Sequence, residues 1–145
     1  MIRAASPEDE ERLLDLGAMM HAESVYATIS YNREKARKEL LWSMEKGCVF
    51  VSEDSEGVHG VIMGYVKGPW FSDDLVGFEE AFYVVPEKRA GRRATMLIFS
   101  WASWCVENGA KLLRPKTSCG SYRAERLYGR LGFEAVGQEF VKVIL

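Results

Sequence analysis

Cysteine is scarce and histidine scarcer: Cys48, Cys105 and Cys119, with His21 and His59, serve all 145 residues. The thiols are odd in number, widely spaced and form no Cys-x-x-Cys pair. That excludes a disulfide framework and a zinc site, and no metal is expected. Neither a Ser-His-Asp nor a Cys-His arrangement can be built from the spacing. The four prolines and 13 glycines gather into no linker and no repeat, so one domain over 1–145 is expected from the length. No run approaches the ~18 apolar residues of a membrane span. The first residues turn acidic at Glu8-Asp9-Glu10-Glu11 and lack the apolar stretch of a signal peptide, so a reducing cytoplasm is the expected location. The absence of GxxxxGK[ST] and GxGxxG loops sets aside nucleoside triphosphatases and dinucleotide dehydrogenases.

What is present is an ordinary globular composition, 48% hydrophobic and 28% charged, with seven Phe, six Tyr and four Trp for a core. The net charge of −2 conceals a split. Residues 1–85 carry 8 Lys/Arg against 16 Asp/Glu, whereas residues 86–130 carry 10 against 3. The basic part points to a polyanionic partner and the acidic part to a cationic one, unless the acids are simply solvated helix faces.

The chain begins with a short strand over 2–5. Ser6 as N-cap and Pro7 at the first helical position start a helix that runs to about 22. Asn32 caps a second helix over about 33–46, with Ala36, Leu40, Leu41 and Met44 as its buried face and Gly47 at its end. Strands over 48–51 and 58–66 form a hairpin. A loop with two exposed aromatics, Trp70 and Phe71, precedes a strand from about 76 to 85 that stops at Pro86. A long helix over about 91–108, a strand over 111–116, a helix over 121–131 and one or two strands over 133–145 complete the chain. The fold class is therefore α/β (an α+β mixed sheet) in the order β-α-α-β-β-β-α-β-α-β(-β). Only the 76–116 unit is a crossover joining parallel strands.

The informative run is Val84-Val85-Pro86-Glu87-Lys88-Arg89-Ala90-Gly91-Arg92-Arg93-Ala94. Lys88, Arg89, Arg92 and Arg93 crowd a helix start, where the macrodipole is already positive and each cation costs a few tenths of a kcal/mol. A bound anion on the free N–H groups is the simplest offset, a solvated basic loop the plain alternative. The run resembles the acyl-CoA-binding motif of the GNAT superfamily, the GCN5-related N-acetyltransferases: a strand ending V-x-P, then Q/R-x-x-G-x-G/A. Arg89 takes the Q/R position and Ala94 the final small one, while Arg92 replaces the middle glycine. Ala124-Glu125-Arg126-Leu127-Tyr128-Gly129-Arg130-Leu131-Gly132-Phe133 is similar to the family's A-x-x-L-Y-x-x-L-G-F signature, with Ser121 where the family often has Asn. The Trp70–Asp74 loop resembles those of small bacteriophage-encoded members.

The resemblance implies that strands four and five splay apart and that the pantetheine arm of acetyl-CoA enters between them. Backbone groups of Tyr83, Val84 and Val85 would bind its amides, and Arg89, Ala90, Gly91, Arg92, Arg93 and Ala94, with Ser121 nearby, its phosphates. Pro115 suits a place where strands are unpaired. The implied reaction is acetyl transfer to a primary amine by direct attack. Tyr128 would protonate the leaving thiolate, unless it is a core tyrosine of the stripe Ala124, Leu127, Tyr128, Leu131. A carboxylate would take the amine proton. Strict alternation places Glu79 with Tyr83 and Val85, and Glu80 with Phe78, Phe82 and Val84 in the core; seven residues before the proline, Glu79 is the favoured base and Glu80 the alternative. Trp70 and Phe71 shape the acceptor site or form a homodimer contact. The competing reading is a GNAT-fold module that binds CoA or a protein without turnover. Ten basic residues spread over two helices and a strand match no nucleic-acid reader motif, and neither nucleic acid nor membrane is expected as a partner.

Overall fold

Branched and small residues over 48–84 form an antiparallel meander in a computed structural model that describes residues 1–117 and 122–144. Strand β2 (Cys48–Asp54) pairs with β3 (Gly57–Lys67), and β3 with β4 (Leu75–Val84). Strand β1 (Ile2–Ala4) lies antiparallel to β2, and β5 (Ala110–Arg114) joins β4 in parallel, giving the order β1-β2-β3-β4-β5. Helices α1 (Glu10–Glu23) and α2 (Arg33–Lys46) cover one face; their Leu13, Leu14, Leu16 and Leu40 pack with Val49, Val51, Val61 and Tyr83. Helices α3 (Arg93–Glu107) and α4 (Tyr122–Arg130) cover the other, where Leu97, Ile98, Trp101 and Tyr128 pack with Ile62, Val84 and Phe82. The mixed architecture and its parallel crossover are those expected.

Local chemistry explains the ends. Asn32 Oδ1 accepts from Lys35 N at 3.0 Å, closing the first turn of α2 as predicted. At Ser6 the outcome differs: Pro7–Asp9 is a 3-10 turn and α1 begins at Glu10. The Asp9 carboxylate, clasped by Arg3 at 2.7 and 2.9 Å and accepting from Ser6 N at 2.8 Å, holds that turn. On α2 the expected burial of Leu41 is corrected: it is exposed, and Ser43 is buried in its stead. Ala36, Leu40, Ser43 and Met44 follow the helical repeat, and Leu41 lies a step off that stripe.

Two further results shape the sheet. Trp101 is fully buried over β3 and β4 and donates Nε1–H to Phe78 O at 3.1 Å. Gly64 makes this possible, since a Cβ there would lie 2.2 Å from Phe78 O and 2.6 Å from Trp101 Nε1. The strands expected over 133–145 are not formed: residues 133–144 carry none, and beyond Phe133 the tail is exposed, Phe140 at 88%. Strand propensity needs a neighbouring ladder to be realised, and no described strand pairs with this segment.

Candidate active site

The site begins with one surplus residue. Met63 pairs with Ala81 and Gly64 with Glu79, so Glu80 has no partner on β3 and bulges from β4. Alternation is rephased there. Phe78 stacks on Tyr65 at 5.4 Å on the α2 side, whereas Phe82, four residues on, lies against Tyr128 on the α3/α4 side at 6.3 Å. A Cβ on Gly77 would meet Cys105 Sγ of α3 at 2.7 Å, so Gly77 faces α3, and Glu79 follows it. The strict-alternation assignment is therefore corrected. Glu79 faces α3 and α4 with Phe82 and Val84, opposite Tyr83 and Val85, and Glu80 is exposed rather than core.

At the same point β4 loses its other neighbour. The parallel pairing runs from Leu75↔Ala110 to Phe78↔Arg114 and stops. Pro115, with no N–H to offer, follows directly, and the chain leaves β4. From Glu79 to Val84, β4 is therefore paired on one side only among the described residues. Glu79 fills the start of the parting at 5% exposure, and its Oε2 accepts from Lys116 N at 3.2 Å. Burial pushes its carboxyl up to about 7, and the Glu80 charge adds to this against the pull of Lys116. Such a carboxyl exchanges a proton near neutral pH. Tyr128, on α4, is 8% exposed, and its hydroxyl is buried with no hydrogen-bond partner among the described residues. Burial, and then the Glu79 charge, hold its proton well above the usual phenol range. Gly132, at φ +90°, reverses the chain after α4, and Phe133 N donates to Tyr128 O at 3.0 Å; the Phe133 ring then packs edge-on against Tyr128. The C-terminal motif thus fixes the phenol in place.

The second half of the site is the loop between β4 and α3. Its cations are mostly satisfied from within. Lys88 Nζ lies 3.1 Å from Asp54 Oδ2 and 3.2 Å from Glu56 Oε1. Arg93 donates to Ser52 Oγ at 2.9 Å and to Asp54 Oδ2 at 3.2 Å. Arg89 donates to both Glu23 oxygens at 2.9 and 3.1 Å, and its Nε donates to Val84 O at 2.7 Å. The Tyr83 hydroxyl also donates to Glu23, and the Arg89 guanidinium lies 5.3 Å above the Tyr83 ring. Arg92 alone among the four has no ion pair among the described residues. The sequence argument that four crowded cations require a bound anion is thus answered in large part by Asp54, Glu56 and Glu23. No sequence signal singled these three out, because each partner is distant in the chain.

The backbone at this loop stays open. Gly91, at φ +96°, has no atom within 4 Å of where a Cβ would stand, and Ala90 is exposed. The first turn of α3 has no acidic residue and no side-chain cap, so its N–H groups point outward unclaimed by the helix. Ala94 packs into the core at the helix start. On β4, Val84 O is taken by Arg89, and Val85 N donates to His59 O at 3.0 Å. Ser121 lies outside the described residues, as does Cys119. Among the described residues no cluster of His, Cys, Asp or Glu is arranged to hold a metal, and no helix is long and apolar enough to cross a membrane.

These residues fit a thioester of CoA: a parted strand pair for an extended arm, an uncapped helix start with an open glycine for phosphates, and a buried hydroxyl with no partner among the described residues. The acetyltransferase (GNAT) family model matches residues 16–133. A crystal structure of a probable acetyltransferase is 22% identical, with 100% of this chain and 96% of that chain covered at a TM-score of 0.75. The aminoglycoside N-acetyltransferase AAC(6')-Iy in complex with CoA is 16% identical, with 100% and 99% covered and a TM-score of 0.75. An aminoglycoside antibiotic 6'-N-acetyltransferase, AAC(6')-IG from Acinetobacter haemolyticus, is 18% identical, with 99% of each chain covered and a TM-score of 0.76. No curated protein sequence matches the chain.

Proposed function

The chain belongs to the acetyltransferase (GNAT) family, and from that premise we propose that it moves an acetyl group from acetyl-CoA to a primary amine within a ternary complex. The observation that carries the reading is Glu79: a carboxyl buried at the parting of β4 and β5, titrating near neutrality, on the same face as the Tyr128 hydroxyl. A carboxylate in solution would be too weak a base for an ammonium. Held out of water, Glu79 accepts the amine proton, directly or through water, while Lys116 N–H orients it. When bound, acetyl-CoA supplies the activated acyl group as a thioester. Tyr128 Oη, with no competing partner among the described residues, gives its proton to the departing sulfur and recovers one from solvent. The N–H groups of Gly91 to Ala94 and the Arg92 side chain hold the phosphates. Arg89 and Arg93, tied to Glu23 and Asp54, hold the loop in the shape that presents those groups. The free, buried thiols of Cys48 and Cys105 agree with a reducing cytoplasm.

Acetyl-CoA at 100 times its Kd should stabilise the protein by about 2.7 kcal/mol and raise its melting temperature. CoA release with a panel of amines should then be detectable and should fall in Tyr128→Phe and Glu79→Gln. The departures from the family motif, Arg92 for the middle glycine and Ser121 for Asn, support a second reading, a module that binds CoA without turnover. Stabilisation by acetyl-CoA with no CoA release from any amine would select that reading; no stabilisation at saturation would remove both.

A further inference from the structure

The ladder between β3 and β4 decides which backbone groups face the parting. Val85 N donates to His59 O, and Val84 stands opposite Gly60. In an antiparallel ladder that bond marks Gly60↔Val84 as a pair that exchanges no hydrogen bonds of its own, so the N–H and C=O of Val84 point away from β3. The same holds two residues back for Phe82, opposite Ile62. Tyr83 and Val85 turn their groups towards β3. The edge with which an extended arm can pair is therefore short, formed by Phe82 and Val84.

The carbonyl at the far end of that edge is already claimed. Arg89 Nε donates to Val84 O at 2.7 Å, and both oxygens of Glu23 hold the guanidinium at 2.9 and 3.1 Å. The Tyr83 hydroxyl donates to the same carboxylate, and the guanidinium lies 5.3 Å from the centre of the Tyr83 ring. Glu23 is the last residue of α1, where the macrodipole is negative and a carboxylate is misplaced. Arg89 offsets that cost across 66 positions of chain. Water could have satisfied an open-edge carbonyl. Here a side chain five positions further on folds back over it and is pinned by a carboxylate from another element.

We propose that Arg89 ends the open edge and that Glu23 is the positioning residue that holds it there. A donor's arm then pairs with β4 no further than the Val84 N–H. Its diphosphate must leave the strand at that point, towards the N–H groups of Gly91 to Ala94. The inference rests on the CoA-binding reading above and deepens it, because the donor selected is one whose diphosphate follows its arm at a set distance. Glu23 acts through Arg89, whose planar fork meets the carbonyl and the carboxylate at once.

Calorimetric titration with CoA of the wild type, Glu23→Ala, Arg89→Lys and the double variant tests this without turnover. Glu23→Ala should weaken CoA about tenfold, the effect of a lost charge-assisted pair that is partly exposed. Arg89→Lys keeps the charge but has no fork to span both partners, and it should lose as much. The double variant should bind no more weakly than Arg89→Lys alone, since the carboxylate has no separate part in binding. Where turnover is measured, Glu23→Ala should raise KM for acetyl-CoA about tenfold with kcat little changed. Wild-type affinity in Glu23→Ala or in Arg89→Lys, losses that add in the double variant, or a Glu23→Ala effect confined to kcat would overturn the proposal and leave the CoA reading standing. Should Glu23→Ala fail to fold, Arg89→Lys against the wild type still decides. A wild type that does not bind CoA would remove the CoA reading and this inference with it.

Discussion

Glu79→Gln separates the charge of the buried carboxyl from its shape, and burial sets the size of the effect. The side chain is almost wholly enclosed, so solvent screening discounts little of it. An ordinary glutamate loses its proton near 4.5 and this one near 7, a difference worth about 3 kcal/mol. Between those values the folded protein keeps a proton that the unfolded chain has released. The stabilisation is therefore fully present below pH 4.5 and is lost as pH rises through about 7. The Gln variant has no such proton and retains an oxygen for Lys116 N–H. Urea denaturation at pH 4 and pH 8.5 should show the variant gaining on the wild type by about 3 kcal/mol over that interval. In the same proteins, kcat/KM of the wild type should fall as pH drops through about 7. The variant should lose on the order of a hundredfold or more of rate, together with that pH limb. A stability difference that does not change with pH would refute the burial argument. A wild-type rate profile that is flat from pH 5.5 to 8.5 would refute the base.

Other substitutions probe the rest of the frame. Tyr128→Phe removes a buried hydroxyl that has no partner among the described residues; the apo protein should gain about 1 kcal/mol while turnover drops on the order of a hundredfold, read by melting and by CoA release. Gly64→Ala would drive a Cβ to 2.2 Å from the Phe78 carbonyl oxygen and should cost about 3 kcal/mol in urea denaturation. Arg92→Ala should raise KM for acetyl-CoA severalfold, because this side chain alone of the four has no ion pair among the described residues, and an unchanged KM would assign phosphate binding to the backbone.

The legible part of the molecule was the part written in local chemistry. The Asn32 cap, the exposed Trp70 and Phe71 (96% and 71%) and the loss of pairing near Pro115 each follow from residues within a few positions of one another. Glu79 was placed on the wrong face, because period-two alternation has no way to register a bulge whose cause lies in the pairing with Met63 and Gly64. The partners of Lys88, Arg89 and Arg93 were illegible for a related reason. Asp54, Glu56 and Glu23 come from 32 to 66 positions away, and nothing in a run of acids says which of them will be brought to a given cation. The tail taught the opposite lesson: its strand-like residues could be read, but the neighbour they need could not.

The hairpin turn at 54–56 and the end of α1 leave the rim around residue 90 closer to electrical balance than its run of cations implies. Small anions with charge but no reach, such as sulfate, should find little purchase there. If the proposed acyl transfer holds, discrimination at this mouth falls to length and fit: a molecule that threads the gap beside β4 places its phosphates correctly, and one that cannot has no compensating attraction to keep it.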